Sequence, residues 1–143
     1  MLPRWHILSG VIISLIVFIF SPQISLLYLA LLFSSSFLID FDHYLVSAIK
    51  TKRWRLSHSF NYHKEMRKKE IAEIKKGIRR KGDFHLFHTI EFHFLIGLLS
   101  FLWTGFFYIF IGMVFHSLLD VISLIYGGTF HRREYFLFNW LKR

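Results

Sequence analysis

Cysteine is absent from the 143-residue chain, so neither a disulfide framework nor a thiolate metal site can form. Any metal ion has only His, Asp and Glu to hold it. Acidic residues are scarce, 9 Asp plus Glu against 18 Lys plus Arg, for a formal net charge of +9. Charge of either sign is nearly missing from two long blocks, residues 7–39 and 92–126, where Asp120 is the one formal charge. The chain is 54% hydrophobic and 20% aromatic with a mean hydropathy of +0.43. That is too apolar for an ordinary soluble domain of this length, and the two blocks read as bilayer-crossing segments.

In the first block, Ile7–Phe20 is apolar, Ser21-Pro22-Gln23 reads as a turn, and residues 24–39 are apolar again. This predicts a hairpin of two short helices. Arg4 ahead of an apolar stretch imitates a secretory signal, but no small-x-small cleavage pattern follows and a second apolar segment does, so a retained anchor is expected. The second block is long enough for another hairpin, reversing near Trp103-Thr104-Gly105. Behind it, Gly127-Gly128 turns the chain into a basic tail with interfacial aromatics at Tyr135 and Trp140.

Between the blocks the composition inverts. Thirteen of the 18 basic residues lie between Lys50 and Lys81, and the positive-inside rule puts this connection, residues 44–87, in the cytoplasm. Lys64–Lys81 suits a helix with a narrow stripe of Ile71, Ile74 and Ile78. Its basic face is either solvated or rests on anionic lipid headgroups. Nucleic acid is not an expected partner, because Trp54 and Tyr62 are too few aromatics to build a stacking platform.

The expected fold is therefore an all-α polytopic membrane bundle. It has four short transmembrane helices, a basic cytoplasmic helix between the second and third, and both termini cytoplasmic. Residues 1–143 form a single membrane domain in the inner or plasma membrane, with membrane lipid as its partner. The oligomeric state is not legible.

Ionisable residues inside or at the ends of such spans are expensive, and their retention points to function. They fall in four places: His6; Asp40, Asp42 and His43; His88, Glu91 and His93; and His116 with Asp120. Alternating spans bring all four to the cytoplasmic side. His116 and Asp120, at i and i+4, share a helix face about 40° apart, whereas His88 and His93 lie about 140° apart on an ideal helix. Those two can bind one centre only if the helix starts between them. Mixed His and carboxylate donors suit one or two divalent ions, Zn²⁺ first and Mn²⁺ or Fe²⁺ as alternatives. The expected ligands are His6, Asp40, Asp42, His43, His88, His93, His116 and Asp120, with Glu91 or Asp42 as the catalytic base. His85 is left aside, three residues before His88 and at most an outer neighbour of the site.

Trp5-His6, Ile39-Asp40-Phe41-Asp42-His43, His88-Thr-Ile-Glu-Phe-His93 and His116-Ser-Leu-Leu-Asp120 occur in that order. In this they resemble the small membrane-bound, predicted metal-dependent hydrolases of bacteria and archaea. The family pattern is an early His, then D-x-D-H, then H-R-G-x-T-H-S, then H-x-x-x-D. The run from Thr129 through His131, Arg132, Arg133 and Tyr135 to Phe138 is similar to that family's tail. The chain departs from the pattern at Ile39, Thr89 and Phe94, where the family has Pro, Arg and Ser. The resemblance implies a membrane bundle with a metal centre and hydrolysis of an ester or phosphoester, in lipid or another anionic substrate, by metal-activated water. A metal-binding or transport protein without chemistry, or a lipid-binding scaffold, is the alternative.

Overall fold

The computed structural model describes residues 3–142. Their regular secondary structure is all helical, with no strand among them: α1 (Pro3–Phe20), α2 (Leu26–Leu38), α3 (Phe41–Thr51), α4 (Leu56–Lys75), α5 (Ile90–Leu99), α6 (Thr104–Tyr126) and α7 (Leu137–Leu141). Short 3₁₀ turns occupy Leu86–His88 and Phe130–Arg132. Two stretches are long and apolar enough to cross a membrane, Leu26–Thr51, which is α2 and α3 taken together, and Thr104–Tyr126. Arg4–Phe20 and Ile90–Leu99 are apolar but shorter. The expectation of four spans thus meets two helices of sufficient length. At 1.5 Å per residue, α5 is about 15 Å long, half of a ~30 Å hydrocarbon core.

The central helix is α2, which packs chiefly against α6 and α1. Its C-terminal third carries the run Ser34-Ser35-Ser36, and small residues face it from both neighbours. A Cβ added at Gly10 of α1 would overlap Ser36 Oγ, and one added at Gly112 of α6 would overlap Ser35 Oγ and the Leu32 carbonyl. Close backbone approach through small residues is how helices associate where apolar burial gives no net drive. These contacts and the stacked rings of Tyr28 and Tyr108, 4.8 Å apart, run α6 parallel to α2. The tight turns after α1 and α5 make those two helices antiparallel to their successors. His6, Asp40, His88 and Asp120 consequently meet at one end of the bundle.

The connection differs from its expected form at both ends. It does not start at Tyr44, because α3 continues past that residue to Thr51, where Lys52 stops it in the left-handed region at φ 55°. The second helix begins at Leu56, earlier than Lys64, and ends at Lys75 rather than Lys81. Gly77 stops it at φ 70° while Gly77 N donates to the Ile74 carbonyl and Ile78 N to the Glu73 carbonyl, a Schellman closure. Ile78 therefore leaves the helix, and Ile71, Ile74 and Ile78 all remain exposed.

What α4 does bind is the C-terminal tail. Glu70 and Glu73 grip the buried Arg132 at 3.1 and 2.9 Å, Gly82 N donates to the Arg132 carbonyl, and Lys81 Nζ donates to the Arg133 carbonyl. The tail is thereby held across the polar end of the bundle.

Candidate metal centre

A break in one helix creates the site. At the end of α2 the Asp40 N–H donates to the Phe37 carbonyl, three residues back, and the Ser36 carbonyl is left to accept from His116 Nδ1 at 2.8 Å. A carbonyl can only accept, so the proton sits on His116 Nδ1 and the Nε2 lone pair faces the centre. His88 is set the same way by a different partner. Its Nδ1 donates to Asp42 Oδ2 at 3.1 Å, and the same oxygen accepts from Phe87 N at 2.9 Å. A carboxylate holding the far nitrogen of an imidazole is the usual outer support of a metal-binding histidine.

Asp40, His88, His116 and Asp120 form a group whose ligand atoms all lie within 4.8 Å of one another. The Nε2 atoms of His88 and His116 are 3.3 Å apart. Asp40 Oδ1 stands 3.4 Å from His116 Nε2 and 3.5 Å from His88 Nε2. Asp120 Oδ2 is 3.7 and 3.9 Å from the same two nitrogens. Two atoms bound to one tetrahedral cation at ~2.1 Å are separated by about 3.4 Å. The observed spacings scatter around that value and are mostly longer than the ~2.9 Å of a good hydrogen bond. The side chains of His88 and His116 are wholly buried, and Asp120 is 3% exposed. Two imidazole nitrogens and two carboxylates, gathered out of water, form a group that could hold a metal ion. The donors present fit a divalent ion of the Zn²⁺, Mn²⁺ or Fe²⁺ class.

Of the other expected ligands, His6 comes from α1 with its ring stacked on His116, centroids 3.8 Å apart, and its Nε2 is 3.2 Å from Asp120 Oδ1. His43 Nε2 is 3.4 Å from Asp40 Oδ1, so that oxygen has three imidazoles around it. Asp42 belongs with His43 and His88 to a second potential metal-binding group.

The structure places His93 and Glu91 apart from these donors. The helix does start between His88 and His93, at Ile90, yet His93 turns the other way. Its Nδ1 pairs with the Thr89 carbonyl at 2.9 Å and its Nε2 with Ser117 Oγ at 2.9 Å. Glu91 accepts from Leu137 N and Phe138 N and so caps α7. A carboxylate engaged in holding the tail is badly placed to serve as a base.

Three contributors escaped the sequence reading. The Ser36 carbonyl is a backbone group freed by the helix break and carries no side-chain signal. Arg133, in the basic tail, donates to Asp120 Oδ2 at 2.7 Å, a pairing that no spacing in the sequence indicates. His85 lies against His43, ring centroids 3.7 Å apart. Burial pushes the His85 imidazole down to about 4 against the opposing pull of Asp42, so the ring is neutral at pH 7 and its lone pair is available.

No protein-family model, curated protein or solved structure matches this chain.

Proposed function

We propose that the protein is a multi-pass enzyme of the inner or plasma membrane, with its polar end and both termini cytoplasmic, that hydrolyses an ester or phosphoester with a divalent cation held by Asp40, His88, His116 and Asp120. The observation that carries this reading is the convergence of four acceptor atoms whose imidazole protons are already committed, to the Ser36 carbonyl and to Asp42. The motif resemblance to membrane-bound metal-dependent hydrolases agrees with it. So does the basic connection, whose charge favours the cytoplasmic leaflet and its anionic headgroups.

When bound, such an ion supplies a Lewis acid that brings a coordinated water toward neutral pKa. The chain's own residues have distinct tasks around it. Asp42 is a positioning residue that fixes the His88 tautomer. The His6 ring closes the α1 side against His116. Arg133, on Asp120, gives the centre one fixed positive charge next to where an anionic group would dock. Access lies on the Asp40 and His43 side, where the side chains are 20% and 28% exposed while the others are closed off.

Metal analysis of detergent-purified protein, paired with turnover assays on a panel of phospholipids, tests the proposal. About one or more tightly held divalent ions per chain is expected, with metal-dependent hydrolysis lost in His116→Ala. Far less than one ion per folded chain would overturn it. A full complement of metal without turnover on any ester would leave a binding or transport role in place of the enzyme.

A further inference from the structure

Asp42 and His85 pose a separate problem. Asp42 Oδ2 is fully used by His88 and Phe87, but Asp42 Oδ1 is buried and has no hydrogen-bond partner among the described residues. The same is true of His85 Nδ1. The two atoms face each other at 3.7 Å, too far for a good hydrogen bond and near the ~3.4 Å spacing of two ligands on one tetrahedral ion. Both side chains are nine-tenths buried or more, with exposures of 5% for Asp42 and 10% for His85. Leaving two such buried atoms unsatisfied is costly. His43 lies against His85 and directs its Nε2 to Asp40 Oδ1 at 3.4 Å. Asp40 Oδ1 thus has His43 as well as His88 and His116 around it.

We infer that the protein holds a second divalent cation, bound by Asp42, His43 and His85, with the Asp40 carboxylate shared between the two ions. This rests on the proposed first site only through the sharing of Asp40. The charge balance extends the inference to the substrate. Asp40, Asp42 and Asp120 carry three negative charges, fewer than the four positive charges of two divalent ions even before Arg133 is counted. A second ion creates a positive surplus that an anionic phosphoester neutralises and a neutral carboxylic ester does not. Two ions sharing a carboxylate are also the arrangement that clamps both the attacking and the leaving oxygen in phosphoryl displacement.

The test is metal stoichiometry in detergent-purified, full-length protein loaded with Zn²⁺ and dialysed against a weak chelator. It is combined with electron paramagnetic resonance of the Mn²⁺-loaded form. Wild type should retain two equivalents and show exchange coupling between the Mn²⁺ ions. His85→Phe keeps the ring contact with His43 and removes the nitrogen; it should retain one equivalent and show an uncoupled signal. His43→Phe should behave alike, guarding against a folding defect peculiar to one variant. One equivalent in wild type, lost in His116→Ala, would overturn the second site and spare the first. Two equivalents retained in both His85→Phe and His43→Phe would overturn it as well, and no bound metal in wild type would remove both.

Discussion

The two ends of the bundle are stabilised by opposite means. At the end formed by the turns after α1 and α5, Phe20 and Phe101 are 84% and 87% exposed, and the described residues there offer no ion pair. That end leaves large apolar side chains uncovered. At the other end Asp42, His88, His116, Asp120, Arg132 and Glu134 are all buried, and the chain supplies its own partners through the tail. Between them, Gly10 and Gly112 let the helix backbones meet α2. The contrast shows that ionisable groups were not scattered through an apolar protein but confined to one layer, where mutual pairing or a cation offsets their desolvation.

The sharpest way to break that contrast is to remove a charge from the polar end and compare it with a cut at the apolar end. Asp40→Asn should weaken Zn²⁺ binding at least about 100-fold, or roughly 2.7 kcal/mol, measured by competition with a chelator of known affinity. Phe101→Ser, at the opposite end, should leave the affinity unchanged. A similar loss in both would mean that the metal centre depends on the general integrity of the bundle and not on its donors.

The middle of the bundle comes next. Gly112→Leu forces a side chain into Ser35 and the Leu32 carbonyl, and overpacking of this kind should cost about 3 kcal/mol, read as a lower melting temperature in detergent. Gly97 is the control. A Cβ there meets the Phe110 ring at 3.4–3.8 Å, ordinary contact, so Gly97→Ala should be neutral or stabilising by up to about 1 kcal/mol through helix propensity.

These positions also mark what could be read before the fold was known. The helices and the ligand-bearing segments were legible because long uncharged blocks, a Ser-Pro-Gln turn and buried-type Asp and His residues are local signals. The i, i+4 pair His116 and Asp120 needed only helical geometry. The choice between His85 and His93 was not legible. Helical spacing from His88 is meaningless when His88 lies in a 3₁₀ turn ahead of α5, and the side chain of His93 follows Ser117 of α6, a residue 24 positions away. The placement of Glu91 was not legible for a related reason, since its partners are backbone N–H groups of a tail whose path depends on tertiary packing. The C-terminal end of α4 was missed because the Gly77 closure overrides a periodicity that continues through Ile78.

The tail is the third place to press. Arg132→Met leaves Glu70 and Glu73 without their shared guanidinium and should loosen the segment from Thr129 to Tyr135. Faster hydrogen exchange at Gly82, whose N–H donates to the Arg132 carbonyl, is the readout. Metal affinity should fall by less than about tenfold, the lower range for an outer support, because Arg133 and Asp120 stay in place. A loss as large as that of Asp40→Asn would show that the tail forms the centre rather than covering it.

The smallest effect belongs to the rim of the polar layer, where Asp83 ties the connection together by accepting from Tyr62 OH at 2.6 Å and from Lys50. Partial burial works to raise the Asp83 carboxyl, but the Lys50 and Tyr62 hydrogen bonds outweigh it and hold the group below its ordinary value. A depressed carboxylate contributes stability that is present above its unfolded value of ~3.9 and is lost as pH falls through the folded one. Lys50 is half exposed, so solvent screening keeps the contribution near about 1 kcal/mol. Asp83→Asn should therefore melt slightly below wild type at pH 7, and the gap should close below about pH 4. Acid also strips metal from both proteins, so the difference between their melting temperatures, not either value alone, isolates Asp83. A gap that persists unchanged into acid would mean that Asp83 acts through packing and neutral hydrogen bonds, and that charge pairing ends at the buried layer above it.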